Sequence, residues 1–212
     1  SGAAAFPTST LAAGTHVVTA SFAPDDPAAF LGSDSNEQTV TVTEAAQVFE
    51  PAIQVFEADG VTPLDASKAV YDGDQIVIKG TGFDPAANVG GRGAPIPNTL
   101  PQGSYVVFGS FLEAWQPSAS APSSARKAGP QKWVLAESVL DQVPAQFQQT
   151  IRNQWAPLAA DGSWSATLTL APISGALENG RYGIYTYGAG GVTNADQELE
   201  FLVNYQGERP AE

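Results

Sequence analysis

The stretch at residues 177–205, LENGRYGIYTYGAGGVTNADQELEFLVNY, constrains the fold more than any other part of this chain. Leu199, Phe201, Val203 and Tyr205 alternate with Glu198, Glu200, Leu202 and Asn204, the pattern of a strand with one buried face. Upstream, the aromatic run Arg181-Tyr-Gly-Ile-Tyr-Thr-Tyr187 follows the turn signal Glu178-Asn-Gly180, and Gly188, Gly190 and Gly191 supply a bend between the two strands. A sheet with one apolar face needs a second layer to cover it, so the chain is expected to be all-β, with its strands stacked in two layers.

The same alternation recurs at Ser163-Trp-Ser-Ala-Thr-Leu-Thr-Leu170, where Trp164, Ala166, Leu168 and Leu170 share a face behind an Asp161-Gly162 turn. Ala52-Ile-Gln-Val-Phe56 and Gln75-Ile-Val-Ile-Lys-Gly-Thr-Gly-Phe83 read as two earlier strands, with a turn at Asp72-Gly73. Gly103-Ser-Tyr-Val-Val-Phe-Gly-Ser-Phe111 is expected to pair with residues 180–187, since both are aromatic strands that open on glycine. Residues 84–103 carry Gly, Pro and Asn without periodicity and read as a long loop; residues 116–124 read as irregular. Residues 132–155 read as helical, with Pro144 at a first helical position and Phe147, Ile151 and Trp155 on one face.

Composition narrows the function. At 212 residues and 43% hydrophobic content the chain can bury one large β core or two smaller ones. Acidic side chains outnumber basic ones 22 to 9, and the net charge of −13 disfavours nucleic acid and anionic membrane surfaces as partners. The absence of cysteine excludes disulfides, thiolate nucleophiles and cysteine-ligated metals. No apolar run approaches the roughly 18 residues that read as a membrane span. The absence of methionine, an initiator included, points to an excised or processed segment, and Ser1-Gly2 has the form of a cloning scar.

Residues 1–43 contain LAAGTHVVTASF and a closing TVTVT, separated by an Asp-, Pro- and Ser-rich loop. This part resembles the C-terminal strands of bacterial Ig-like repeats found in tandem on large surface proteins. Leu11-Ala-Ala-Gly14-Thr-His16 superposes on Leu177-Glu-Asn-Gly180-Arg-Tyr182, a turn that in immunoglobulin-like sandwiches leads to a tyrosine whose hydroxyl ties back to nearby backbone. The only histidine, His16, thus stands where the corner aromatic belongs and is expected to be structural. Residues 44–50 read as a linker. DGDQIVIKGTGFDP resembles the second strand of Ig-like and IPT/TIG-type domains. The expected layout is a partial Ig-like repeat at 1–43, then an Ig-like β-sandwich at 51–206 with a helix-containing insertion at about 113–162, then a tail at 207–212.

Several chemistries find no support. A serine hydrolase needs a nucleophile elbow and a histidine base; no G-x-S-x-G occurs, and His16 lies in the other part of the chain. Glu113, Glu137, Asp141 and Asp161 could form a carboxylate pair for glycoside hydrolysis, but nothing in their spacing sets two of them about 5–10 Å apart. Calcium is the more plausible metal, with Asp25-Asp26 and Glu57-Ala-Asp59-Gly60 as oxygen donors, although neither fits an EF-hand. Lys79 falls on the face opposite Ile76 and Ile78, which argues against a buried amide crosslink.

The aromatic residues around the insertion are the best functional hint. Tyr105, Trp115, Trp133, Tyr185 and Tyr187 are the candidate ligand-binding residues, with Trp155 beside them; their planes could hold a sugar or a porphyrin, or simply close a small core. GSYVVFGSFLEAWQPSASAPSSAR, QKWVL and YGIYTYGAGGVTNADQE together resemble a module of actinobacterial cell-surface proteins that recurs beside HtaA-type haem-binding domains. The resemblance implies an extracellular, cell-surface or cell-wall protein that is not an enzyme and serves as a structural or interaction module. Its partners would be other surface-protein domains, copies of itself, or a host or cell-wall glycan. The alternative is capture of haem or glycan by the insertion aromatics. HtaA-type domains hold haem through tyrosine and histidine; the matching part here has no histidine, so those ligands do not carry over, and Tyr185 or Tyr187 would have to bind iron alone.

Overall fold

A computed structural model of the chain describes residues 5, 7–45 and 47–211. Residues 1–4 and 6 of the expected partial repeat, Ala46 of the expected linker, and residue 212 lie outside that description. The chain is β-rich, with open sheets and little helix. Contacts divide it into Ser1–Gln47 and Val48–Glu212, the boundary falling inside residues 44–50.

In the first unit, β1 (Gly14–Val18), β2 (Ser21–Phe22), β3 (Ser33–Asp34) and β4 (Gln38–Val42) form two antiparallel pairs, β1 with β4 and β2 with β3. His16 bonds through Nε2 to the Ala12 carbonyl oxygen at 2.7 Å, a turn-closing bond of the kind expected for a corner aromatic. No described residue of this unit is buried: Val17 is 60% exposed and Leu31 88%. Two-stranded ribbons without a covering layer are marginal in water. The amides of β1 and β4 are therefore expected to exchange with solvent nearly unprotected, while those of the second unit's sheets exchange only through large-scale opening. Hydrogen-exchange mass spectrometry checks this; strong protection across residues 14–42 in the monomer would contradict it.

The second unit holds the core. Its elements are β5 (Ala52–Phe56), β6 (Ala69–Val70), β7 (Gln75–Thr81), β8 (Ser104–Phe111), β9 (Arg126–Leu135), α1 (Glu137–Leu140) and α2 (Ala145–Arg152), followed by β10 (Trp155–Pro157), β11 (Trp164–Thr169), β12 (Arg181–Gly188), β13 (Glu200–Leu202) and β14 (Asn204–Tyr205). One sheet has the order β11-β7-β5 and a larger one β10-β9-β8-β12-β13, while β14 pairs in parallel with β6. Inward side chains of both sheets meet in a single cluster: Ile76, Ile78, Trp164 and Leu168 from the smaller, Val106, Phe108, Val134 and Ile184 from the larger. Each fully buried aliphatic side chain stabilises by roughly 1.5–3 kcal/mol over exposure, so this cluster can hold the unit together without a disulfide. The pairing of residues 103–111 with 180–187 is observed, with Tyr187 opposite Tyr105 and Arg181 opposite Phe111.

The helical expectation for 132–155 needs correction. Residues 132–135 belong to β9 and Trp155 opens β10; helix is confined to α1 and α2, and Pro144 caps α2 from outside rather than occupying its first position. Trp133, Val134 and Leu135 are all buried, because β9 is covered on both faces, and a strand covered on both faces shows no alternation to read. Phe147, Ile151 and Trp155 still meet in one cluster, with Trp155 beyond the helix end. Residues 113–162, expected as an insertion, are woven into the body: β9 and β10 are strands of the larger sheet, joined in parallel by the helical crossover that such a connection requires. The stretch expected as a tail is tied back, Arg209 Nη2 pairing with Asp74 Oδ1 at 2.6 Å.

Candidate binding site on the outer face of the larger sheet

Alternation along β8 and β12 sends Val106, Phe108 and Ile184 into the shared core and leaves Tyr105, Phe111, Tyr185 and Tyr187 on the opposite face. Trp133 stands opposite Tyr105 in the β8–β9 register, the rings 5.1 Å apart. Trp115 comes from the loop at residues 112–125 and lies 5.2 Å from the Tyr185 ring and 6.4 Å from that of Tyr187. The structure thus brings all five sequence-predicted aromatics onto one face, but it uses them differently. Trp115 and Tyr185 are fully buried and Trp133 nearly so. Tyr185 stacks on Phe111 at 4.1 Å and donates its hydroxyl to the Arg181 carbonyl at 2.8 Å. Among the described residues the tie from hydroxyl to nearby backbone is therefore made by Tyr185, not by Tyr182, whose ring stacks on Phe108 in the core.

Tyr105 and Tyr187, 5.7 Å apart, are half-buried and line a cavity of about 350 Å³ together with Arg92, Arg126, Ser123 and the backbone around Gly188, Gly190 and Gly191. Two loops build its walls. The loop at 112–125 is pinned by Trp115 Nε1 donating to Glu200 Oε2 at 3.0 Å, by Ser118 Oγ donating to Glu198 at 2.6 Å, and by Arg126 Nη1 donating to the Trp115 carbonyl at 2.6 Å. The loop at 84–103 is anchored through Asn88 and brings Arg92 to the rim, where its backbone N–H donates to the Gly190 carbonyl at 2.9 Å. Gly190 has φ 64, and a Cβ there would stand 2.4 Å from Gln102 Oε1, so this turn requires glycine.

Burial pushes the Tyr187 phenol up to about 12, with Arg126 pulling the other way and Tyr105 adding to the rise. Burial also raises Tyr185, helped by the Glu200 carboxylate, and raises Tyr105 against the opposing effects of Gly190 and Arg92. The folded state thus holds these protons more firmly than the unfolded chain. For Tyr187 the contribution to stability is intact below about pH 10, the unfolded phenol value, and is lost as pH rises through about 12; Tyr105 and Tyr185 act in the same direction. Denaturant midpoints measured from pH 8 to 12 should be level and then fall; tyrosinate absorbance rising in a single step near pH 10 would contradict this.

The remaining sequence candidates are dispersed. Glu113, Glu137, Asp141 and Asp161 are exposed; Asp141 pairs with Arg152, and Asp161 bonds to Ser163 in its turn. Asp59 is held down to about 2 by the Thr62 hydroxyl and by the Val61 and Thr62 N–H groups, so its carboxylate closes its own loop. Asp26 accepts the Ala28 N–H at 3.0 Å. Among the described residues no three His, Asp or Glu side chains converge as metal ligands. Lys79 is exposed, its Nζ 4.8 Å from the centre of the Phe56 ring.

Arg92 and Arg126 are the site residues that sequence reasoning missed. The available signal was only that cations are scarce in so acidic a chain. Among the described residues no helix is long and apolar enough to cross a membrane. No family model, curated protein or solved structure matches the chain.

Proposed function

We propose that this chain is a non-enzymatic module of an extracellular, cell-surface or cell-wall protein, whose second unit is an immunoglobulin-like sandwich. The observation that carries the reading is strand order. The orders β11-β7-β5 and, leaving aside the edge strand β10, β9-β8-β12-β13 correspond to strands E-B-A and C′-C-F-G of such a sandwich, which supports the reading. The parallel β6–β14 pair adds a link between its first and last parts. The crossover from β9 to β10 is the departure from that pattern. The first unit, in which no described residue is buried, supports a role in which one module adjoins others, and the sequence resemblance to actinobacterial surface modules agrees with it.

Two experiments test the proposal. Antibody raised to the chain should label intact source cells, and labelling confined to lysed cells would overturn the localisation. Turnover on a panel of glycoside, ester and peptide substrates would overturn the non-enzymatic reading.

A second reading, capture of haem or a glycan, is favoured by the two tyrosines that open on the cavity while their neighbours are sealed. Of the tyrosines considered for iron, Tyr187 faces that space, whereas the hydroxyl of Tyr185 is committed to backbone. Haem titration followed at the Soret band and a glycan array decide between ligands; silence in both removes the reading.

A further inference from the structure

Resting on the capture reading, we infer that the cavity is a subsite for an acidic sugar, with Arg92 and Arg126 receiving the carboxylate and Tyr105 and Tyr187 packing against the sugar ring. The distribution of charge points there. Of the five arginines in the chain, Arg152, Arg181 and Arg209 pair with Asp141, Glu200 and Asp74. Among the described residues Arg92 and Arg126 have no such carboxylate partner, and both line this one cavity. Among the described residues no acidic side chain lines it. In a protein of net charge −13, two guanidiniums left without counter-charge at one hollow form a local site for an anion.

The guanidinium fork matches oxyanions that accept parallel N–H bonds, a planar carboxylate among them. Arg126 is preorganised for such a contact, since Nη1 bonds to the Trp115 carbonyl and the guanidinium lies 5.8 Å from the Tyr187 ring centre, so little freedom remains to be lost on binding. The rest of the wall matches a sugar rather than a bare ion. The two tyrosine rings offer apolar surface to C–H groups, their hydroxyls and Ser123 offer hydrogen bonds, and the glycines let the ring approach the backbone. At about 350 Å³ the space lies near the small end of ligand pockets and suits a ring-sized ligand.

The test is a titration of the whole isotopically labelled chain with D-glucuronate, D-glucose and inorganic phosphate, followed by amide chemical shifts. Glucuronate should shift the amides of Gly188, Gly190, Gly191 and Thr193 saturably, with a Kd of about 1 mM. Arg92→Gln and Arg126→Gln should each weaken it at least about tenfold. Arg92 is exposed, so its variant keeps the test readable if Arg126→Gln disturbs the Trp115 loop. Glucose binding as well as glucuronate would overturn the acid preference and leave capture standing. Phosphate binding equally well would also overturn the inference, since the site would then take any anion. No shift with any of the three would overturn it too, and the haem and glycan-array measurements would decide capture separately.

Discussion

Replacing Trp115 by alanine is expected to cost about 3–5 kcal/mol of the second unit's stability, the range for a fully buried large aromatic. Its indole is fully buried, 5.5 Å from Phe111 and 5.2 Å from Tyr185, and its Nε1 shares Glu200 Oε2 with Arg181. Trp115 belongs to a loop and not to a strand, so the loss should also be local in character. The loop at 112–125 would lose its apolar anchor, and Phe111 and Tyr185 would face water. Trp115→Phe separates the contributions: it keeps most of the packing and gives up the indole bond, at about 1.5–3 kcal/mol for a hydrogen bond to a charged group. Urea unfolding of the full chain measures both. An alanine variant within about 1 kcal/mol of the parent would mean that the loop is not packed as described, since ordinary exposed positions change stability by only about ±0.5 kcal/mol.

That loop also marks the limit of what the sequence discloses. The strands β11 and β13 are legible because each buries one face, so that alternation along the chain records burial directly, as in Trp164, Ala166 and Leu168. The pairing of β8 with β12 follows from two aromatic strands that open on glycine. The pattern fails at β9, where covering on both sides erases alternation, and Trp133-Val134-Leu135 is then easily joined to a helical stripe that begins with Phe147. It fails again at residues 116–124, whose Ser- and Pro-rich composition gives no sign that they wall a cavity. The aromatic half of the site is legible because large rings cluster where loops need anchors. The arginine half is not, because Arg92 and Arg126 are brought to one hollow by loop anchoring and sheet register, and neither is local in sequence.

Asn88 is the residue that sets that anchoring, and its replacement is expected to be nearly as damaging as loss of Trp115. Its Nδ2 donates to the Gly103 carbonyl at 2.8 Å and to Gln197 Oε1 at 2.6 Å, while its Oδ1 accepts from Asn194 Nδ2 at 2.9 Å. Asn88, Ser104 and Gln197 are all buried, so removing the amide leaves several polar atoms without partners at about 1–3 kcal/mol apiece. The backbone adds to this, since Asn88 has φ 61, a conformation that asparagine tolerates better than alanine. Asn88→Ala should therefore lose about 3 kcal/mol or more. It should also loosen residues 84–103, and with them Arg92, so that amide exchange rises there before it rises in β7 or β11.

Asn88→Asp is the sharper variant. It keeps shape and backbone preference but turns a donor into an acceptor that faces the Gly103 carbonyl and Gln197 Oε1. Burial and those oxygens raise the new carboxyl's folded pKa above the ordinary value near 3.9. Its stability is then fully present below that value, where the protonated acid can donate, and is lost as pH climbs through the raised folded pKa. The gap in unfolding free energy between parent and Asn88→Asp should thus widen from pH 4 to pH 7. A gap that stays constant across that interval would show that this amide does not donate into the buried network, and that the wall carrying Arg92 is held by something else.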